Sequence, residues 1–187
     1  MKPKIDGLMI AALVLIIFLG TSLISDEATA STSQTASASQ LIPQETNTIS
    51  NDPTAFGAPY ILYIITQGPH GSSYGHMAVD LAAGEDTTIL SPISGVVTDN
   101  FTDVYGNPTL VIENEVYRVS LLHGNYFVTV GQAVNLGEAI GSESNQGYTT
   151  DMAGNPCWGR AGCGFHTHLN VYDKRLEMNV NPLDLLP

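Results

Sequence analysis

From Tyr60 to the C-terminus the chain never settles into a helical repeat. "YILYIIT", "HMAVDLA", "SGVVTDNF", "TLVIEN", "YRVSLL" and "YFVTV" are short runs that alternate apolar with polar residues or form brief apolar blocks. "GEDT", "YGNP" and "HGN" punctuate them with turn residues. Both patterns belong to strands, and no window carries a convincing 3.6-residue apolar period. Closely spaced strands joined by tight turns predict an all-β, mostly antiparallel domain over residues 60–187, a β-sandwich or partly open barrel.

What precedes that domain has a different composition. "MKPKIDG" carries Lys2 and Lys4, the stretch from Leu8 to Ser25 is uncharged, Asp26 and Glu27 close it, and "ATA" follows at 28–30. A basic start, an apolar run and a small-residue site read as a signal peptide. The run is also close to the roughly 20 residues a membrane-spanning helix needs. Residues 1–30 are therefore expected to be a hydrophobic helix that is either cleaved or kept as an N-terminal membrane anchor through residues 8–25. The lysines favour an orientation with the rest of the chain outside the cytoplasm. Residues 31–59 are rich in Ser, Thr, Ala and Gln and cannot bury enough apolar surface to offset their ordering entropy, so they read as a disordered, flexible linker.

Charge narrows the partners. The chain holds 18 acidic against 6 Lys and Arg residues, a formal net charge of −12. The basic residues after Tyr60 are Arg118, Arg160, Lys174 and Arg175. Nucleic acid needs a basic footprint and is excluded on that ground. The two cysteines, Cys157 and Cys163, are too far apart for a C-x-x-C motif, and in an exported chain such a pair is expected to be a disulfide.

The chain has five histidines. His76 and Asp80 stand in "GHMAVD", His123 ends an apolar run in "LLHGN", His166 and His168 open the strand of "GFHTHLNVYD", and His70 lies in "QGPHGSS". Residues two apart on a strand share a face, so His166 and His168 are neighbours, and an extended chain also aligns His76 with Asp80. Imidazoles plus one carboxylate make a sensible zinc set, because catalytic zinc takes three protein ligands and leaves one position open. Taken singly, each of these residues is more often a surface or hydrogen-bonded side chain than a ligand.

In this order the segments resemble the lysostaphin or LytM-type zinc endopeptidases, which cut peptide bonds in bacterial peptidoglycan. "HMAVD", "LLHGN" and "HTHLNVYD" match the family's H-x-x-x-D, strand-ending His and H-x-H segments. "GEDTTILSPISGVV", "VTVGQAVNLGEAIGSESNQG" and "VNPLDLL" are similar to the stretches between and after them. The resemblance implies one Zn2+ per chain held by His76, Asp80 and His168, with His123 and His166 as the catalytic pair acting on water beside the metal. His70, across a glycine-rich loop, is the alternative first ligand; the spacing to Asp80 favours His76. Two departures stand out: Ala78 where the family has glycine, and the insertion "YTTDMAGNPCWGRAGCG", which holds both cysteines and Trp158. A Cys157–Cys163 bridge is expected to staple this loop beside the site, with Trp158 either lining the groove or packing inside the loop.

The implied function is an extracellular or cell-envelope zinc metalloendopeptidase, monomeric, hydrolysing cross-bridge or stem peptides of peptidoglycan. The rival is an inactive module of the same fold that scaffolds or activates other wall hydrolases. Such members lack site residues; all five are present here. A zinc peptidase against other glycine-rich peptides is a further alternative.

Overall fold

The computed structural model describes residues 52–187. The apolar N-terminal run and the linker up to residue 51 lie outside the described residues. Among those described, no helix is long and apolar enough to cross a membrane. Eleven strands and two short 3₁₀ turns make up the described chain, confirming the all-β class. The strands are β1 (Ile64–His70), β2 (Ala78–Ala82), β3 (Thr88–Leu90), β4 (Gly95–Thr102), β5 (Pro108–Glu113), β6 (Tyr117–Leu122), β7 (Asn125–Tyr126), β8 (Ala133–Val134), β9 (Ala139–Ser142), β10 (Thr167–Asp173) and β11 (Met178–Val180).

All the pairings are antiparallel. The larger sheet runs in the order β1-β2-β10-β6-β5-β4-β8, and a three-stranded sheet runs β3-β9-β7. No barrel closes. Strand β10 is the centre of the large sheet. On one side it pairs with β6, from His168 to Asp173; on the other it pairs first with β2, from Thr167 to Leu169, and then with β11, from Val171 to Asp173. With neighbours on both edges and cover on both faces, it is buried at nearly every position. Its sequence alternates Leu169 and Val171 on one side with His168 and Asn170 on the other.

The alternation sets two faces. Leu169 and Val171 point into the core with Val79 and Leu81 of β2, Val119 and Leu121 of β6, and Leu110 and Ile112 of β5, all fully buried. Asp80, His168 and Asn170 occupy the other parity, and that face carries the candidate site. The core reaches back beyond Tyr60. Phe56 packs against it, meeting the Tyr117 ring edge-on at 5.7 Å, and the Gly57 amide donates to the Pro92 carbonyl at 2.9 Å. Residues 52–59 thus lie against the domain, although their composition resembles the linker.

Candidate active site

Register brings the first residues together. His168 on β10 lies directly opposite Asp80 on β2, and directly opposed residues share a face. His70, the last residue of β1, lies opposite Ala78, two positions before Asp80 on that same face of β2. His70 therefore reaches the site across the sheet from a neighbouring strand. His76 does not: it precedes β2, after a 3₁₀ turn at Ser72–Tyr74 and after Gly75, whose φ of 80° swings the backbone out of the extended line. The period-two argument that aligned His76 with Asp80 stops at that turn.

The distances follow. His168 Nδ1 lies 3.1 Å from Asp80 Oδ1, His70 Nε2 lies 3.2 Å from His168 Nδ1, and His70 Nε2 lies 3.5 Å from Asp80 Oδ1. Ligand atoms of His70, Asp80 and His168 all fall within 4.8 Å of one another, the cluster expected of a metal site. His76 is outside that cluster and faces the far nitrogen of His168, with Nδ1 to Nε2 at 3.2 Å. The group of mutually close ligand atoms thus includes His70, the alternative first ligand, and not His76.

Tautomers point the same way. His70 Nδ1 lies 2.9 Å from the Gly68 carbonyl, which can only accept, so Nδ1 carries the proton and Nε2 offers a lone pair toward Asp80 and His168. A metal in the cluster would take the His168 Nδ1 lone pair in place of the proton shared with Asp80, and the Nε2–H of His168 would then have an acceptor in His76 Nδ1. Burial first, and then the neighbouring histidines His168 and His70, pull the His76 imidazole down to about 4, so it stays neutral and able to accept. Burial works to raise Asp80. The hydrogen bond from His168 and the nearby imidazoles outweigh it and hold the carboxyl below its usual range, as the ionised form.

Two further imidazoles complete the site. His123 follows β6 in the left-handed region, at φ 74°, a conformation rare outside glycine and common at functional sites. Its amide donates to the Pro108 carbonyl at 2.9 Å, and its carbonyl accepts from the Ser144 hydroxyl. Its Nδ1 donates to the Gln146 carbonyl at 2.8 Å, which leaves Nε2 free. Burial, then the charge of His166, lowers its pKa to about 4. His166 is held alike: Nδ1 donates to the Gly164 carbonyl at 2.8 Å and Nε2 stands 3.7 Å from Asp80 Oδ2. The rings of His123 and His166 are 4.7 Å apart, and that of His168 is 6.3 Å from His123. All five histidines and Asp80 therefore converge.

Other participants carry no motif of their own. Asn170 accepts from the Met77 amide at 2.9 Å and donates to Asn179 Oδ1 at 2.9 Å, and Asn179 donates to the Gly75 carbonyl at 2.5 Å, which fixes the turn that carries His76. The Tyr74 ring packs edge-on against His76 at 5.3 Å. Asn170 was the readable one: it shares the parity of His168 in "HTHLN". Cys157 and Cys163 are disulfide-bonded, with Cα atoms 5.2 Å apart. One shallow groove beside His123 is lined by residues including Asn100, Phe101, Asn125, Phe127 and Gln146, and a second by Leu62, Ile64, Glu143 and Phe165. Trp158 lines neither and is largely exposed, so it does not pack inside its loop.

The model of peptidase family M23 matches residues 74–182, more than half of the chain. No curated protein matches significantly. Among solved structures, a zinc-containing peptidase from Vibrio cholerae is 27% identical over 68% of this chain and 39% of that one, with a TM-score of 0.52. A putative M23 peptidase from Pseudomonas aeruginosa is 22% identical over 72% of this chain and 51% of that one, at a TM-score of 0.51, a likeness of fold alone. The chain thus spans from about two-fifths to half the length of these two proteins. His70 lies upstream of the matched region, whereas "HMAVD" lies within it.

Proposed function

The chain belongs to peptidase family M23, and on that premise we propose that it is an exported zinc metalloendopeptidase acting on peptide bonds of bacterial peptidoglycan. The observation that carries the reading is the convergence of His70 Nε2, Asp80 Oδ1 and His168 Nδ1 at 3.1 to 3.5 Å. A tetrahedral zinc with bonds of about 2.0–2.1 Å holds its ligands about 3.3 Å apart. Three atoms able to offer lone pairs at that spacing, each residue braced by a further polar contact, fit the ion. His70, Asp80 and His168 are accordingly the proposed ligands, and His76 the proposed hydrogen-bond partner that fixes the His168 tautomer. The zinc-containing Vibrio cholerae relative supports the choice of metal.

Zinc bound there would supply Lewis-acid polarisation of the scissile carbonyl and an acidified water. The protein's own contribution is proton management by His123 and His166. Both have Nδ1 tied to a backbone carbonyl, so both present Nε2 to the site. A neutral His123 takes a proton at Nε2, and its protonated form returns one to the departing amine. Either imidazolium can donate to the oxyanion as the carbonyl becomes tetrahedral. Buried side chains around these rings keep the donors fixed, so little reorganisation accompanies the reaction.

The substrate class rests on the resemblance of the motif set to wall-lytic peptidases. The oxidised cysteine pair supports a location outside the cytoplasm, secreted or tethered. The test is elemental analysis of the purified chain together with release of amino groups from purified peptidoglycan, with and without chelator. One zinc per chain and chelator-sensitive release are expected. No metal and no hydrolysis would overturn the proposal in favour of the scaffold reading.

A further inference from the structure

The segments that hold His123 and His166 are joined by a side chain with no part in the proposed ligand set. His123 is held by residues 144 and 146: the Ser144 hydroxyl donates to its carbonyl, and the Gln146 carbonyl accepts from its ring. His166 is held by residue 164, whose carbonyl accepts from its ring. These are two separate stretches of chain. Between Ser144 and Gln146 stands Asn145, almost fully buried, and its carboxamide nitrogen lies 2.9 Å from each of three carbonyls, those of Cys157, Arg160 and Cys163. Cys163 is the residue immediately before Gly164. One amide therefore ties the segment that holds one imidazole to the segment that holds the other.

The rest of the loop reinforces the tie. Thr149 Oγ1 donates to the Asn145 carbonyl at 2.8 Å, and the Cys157 amide donates to the Thr149 carbonyl at 2.9 Å. The disulfide closes the loop around the same three carbonyls. Gly164, at φ 66°, passes so close that a Cβ there would lie 2.6 Å from Cys157 Cβ. Such close packing transmits a displacement rather than absorbing it.

We propose that Asn145 is a positioning residue: by gathering the cysteine loop onto the 144–146 segment it fixes the separation of the two imidazoles that handle protons, independently of the metal ligands. The cysteine insertion is then a built part of the site, and the bridge sets how firmly the pair is held. The proposal rests on the peptidase reading only for its kinetic consequence; its structural content stands apart.

The experiment uses the full chain, as Asn145→Asp and Asn145→Ala, with two readouts. The first is the imidazole nitrogen and carbon resonances of the histidines at constant zinc. Signals of His123 and His166 are expected to shift together, while those of His70 and His168 hold. The second is kinetics on peptidoglycan: kcat is expected to fall at least 10-fold with KM within twofold and zinc content unchanged. The Cys157→Ala/Cys163→Ala variant is expected to move the same two resonances less far. If the Asn145 variants do not fold, Thr149→Val, which removes the brace on the Asn145 carbonyl, takes their place and should move the same pair. Unmoved His123 and His166 signals in a folded variant would overturn the proposal, as would zinc loss matching any loss of turnover. A wild-type chain without activity would overturn the peptidase reading alone, since the resonances still report the tie.

Discussion

Replacing His70 and His76 by alanine, one at a time, separates two ways of building the metal centre. If zinc sits among His70, Asp80 and His168, removing His70 takes away one of three protein ligands, the one whose Nε2 lies 3.2 Å from His168 Nδ1 and 3.5 Å from Asp80 Oδ1. Removing His76 takes away only the acceptor, 3.2 Å away, for the opposite nitrogen of His168. Loss of such an outer partner typically weakens metal binding about 10- to 100-fold, which at about 1.4 kcal/mol per decade is roughly 1.4 to 2.7 kcal/mol. Loss of the ligand should exceed that range, because the remaining pair leaves two positions to solvent. The assay is competition for zinc against a chromogenic chelator at pH 7.5, with circular dichroism confirming that each variant keeps its sheet. His70→Ala should bind no stoichiometric zinc, and His76→Ala should bind one zinc with reduced affinity. The reverse order, with His76→Ala empty and His70→Ala near wild type, would refute the reasoning from register and restore the spacing H-x-x-x-D as the ligand pair.

Further outcomes follow from the same geometry. His123→Ala should retain zinc and lose roughly 10²- to 10⁴-fold in kcat, the usual contribution of a positioned acid–base group; metal content and turnover measured on one preparation check it, and equal loss of both would undo the division of roles. In the metal-free protein, His123 has a folded pKa depressed from 6.5 to about 4 by burial and His166, so the unfolded chain takes up a proton first as pH falls. Stability should therefore be complete above about pH 6.5 and decline toward pH 4 by about 2–3 kcal/mol from this group, seen as a lower urea midpoint that His123→Asn abolishes. Leu169→Ala, beneath His168 on the fully buried core face of β10, should cost about 2–5 kcal/mol and lower the melting temperature in apo and zinc-loaded protein alike; a shift only in the loaded form would mean the residue acts through the site.

The strands were legible because each is short, and turn residues separate many of them. The "HTHLNVYD" strand and the "LLHGN" turn fall where the alternation places them. The first metal-ligand position was harder, for a reason visible in the backbone. Parity along one strand holds only while the chain stays extended, and Gly75 at φ 80° ends that extension one residue before His76. His70, the proposed ligand, arrives by cross-strand register opposite Ala78, on a β1–β2 ladder with two register shifts. Register of that kind depends on how two separate stretches slide against each other, which no local pattern encodes. The same limit hid Asn145. An asparagine in a glycine-rich turn reads as a turn residue, and the three carbonyls it gathers lie 12 to 18 positions away. The histidines could be found by type because their chemistry is rare in this chain; the groups that aim them are ordinary amides and carbonyls, recognisable only once the fold has brought them within about 3 Å.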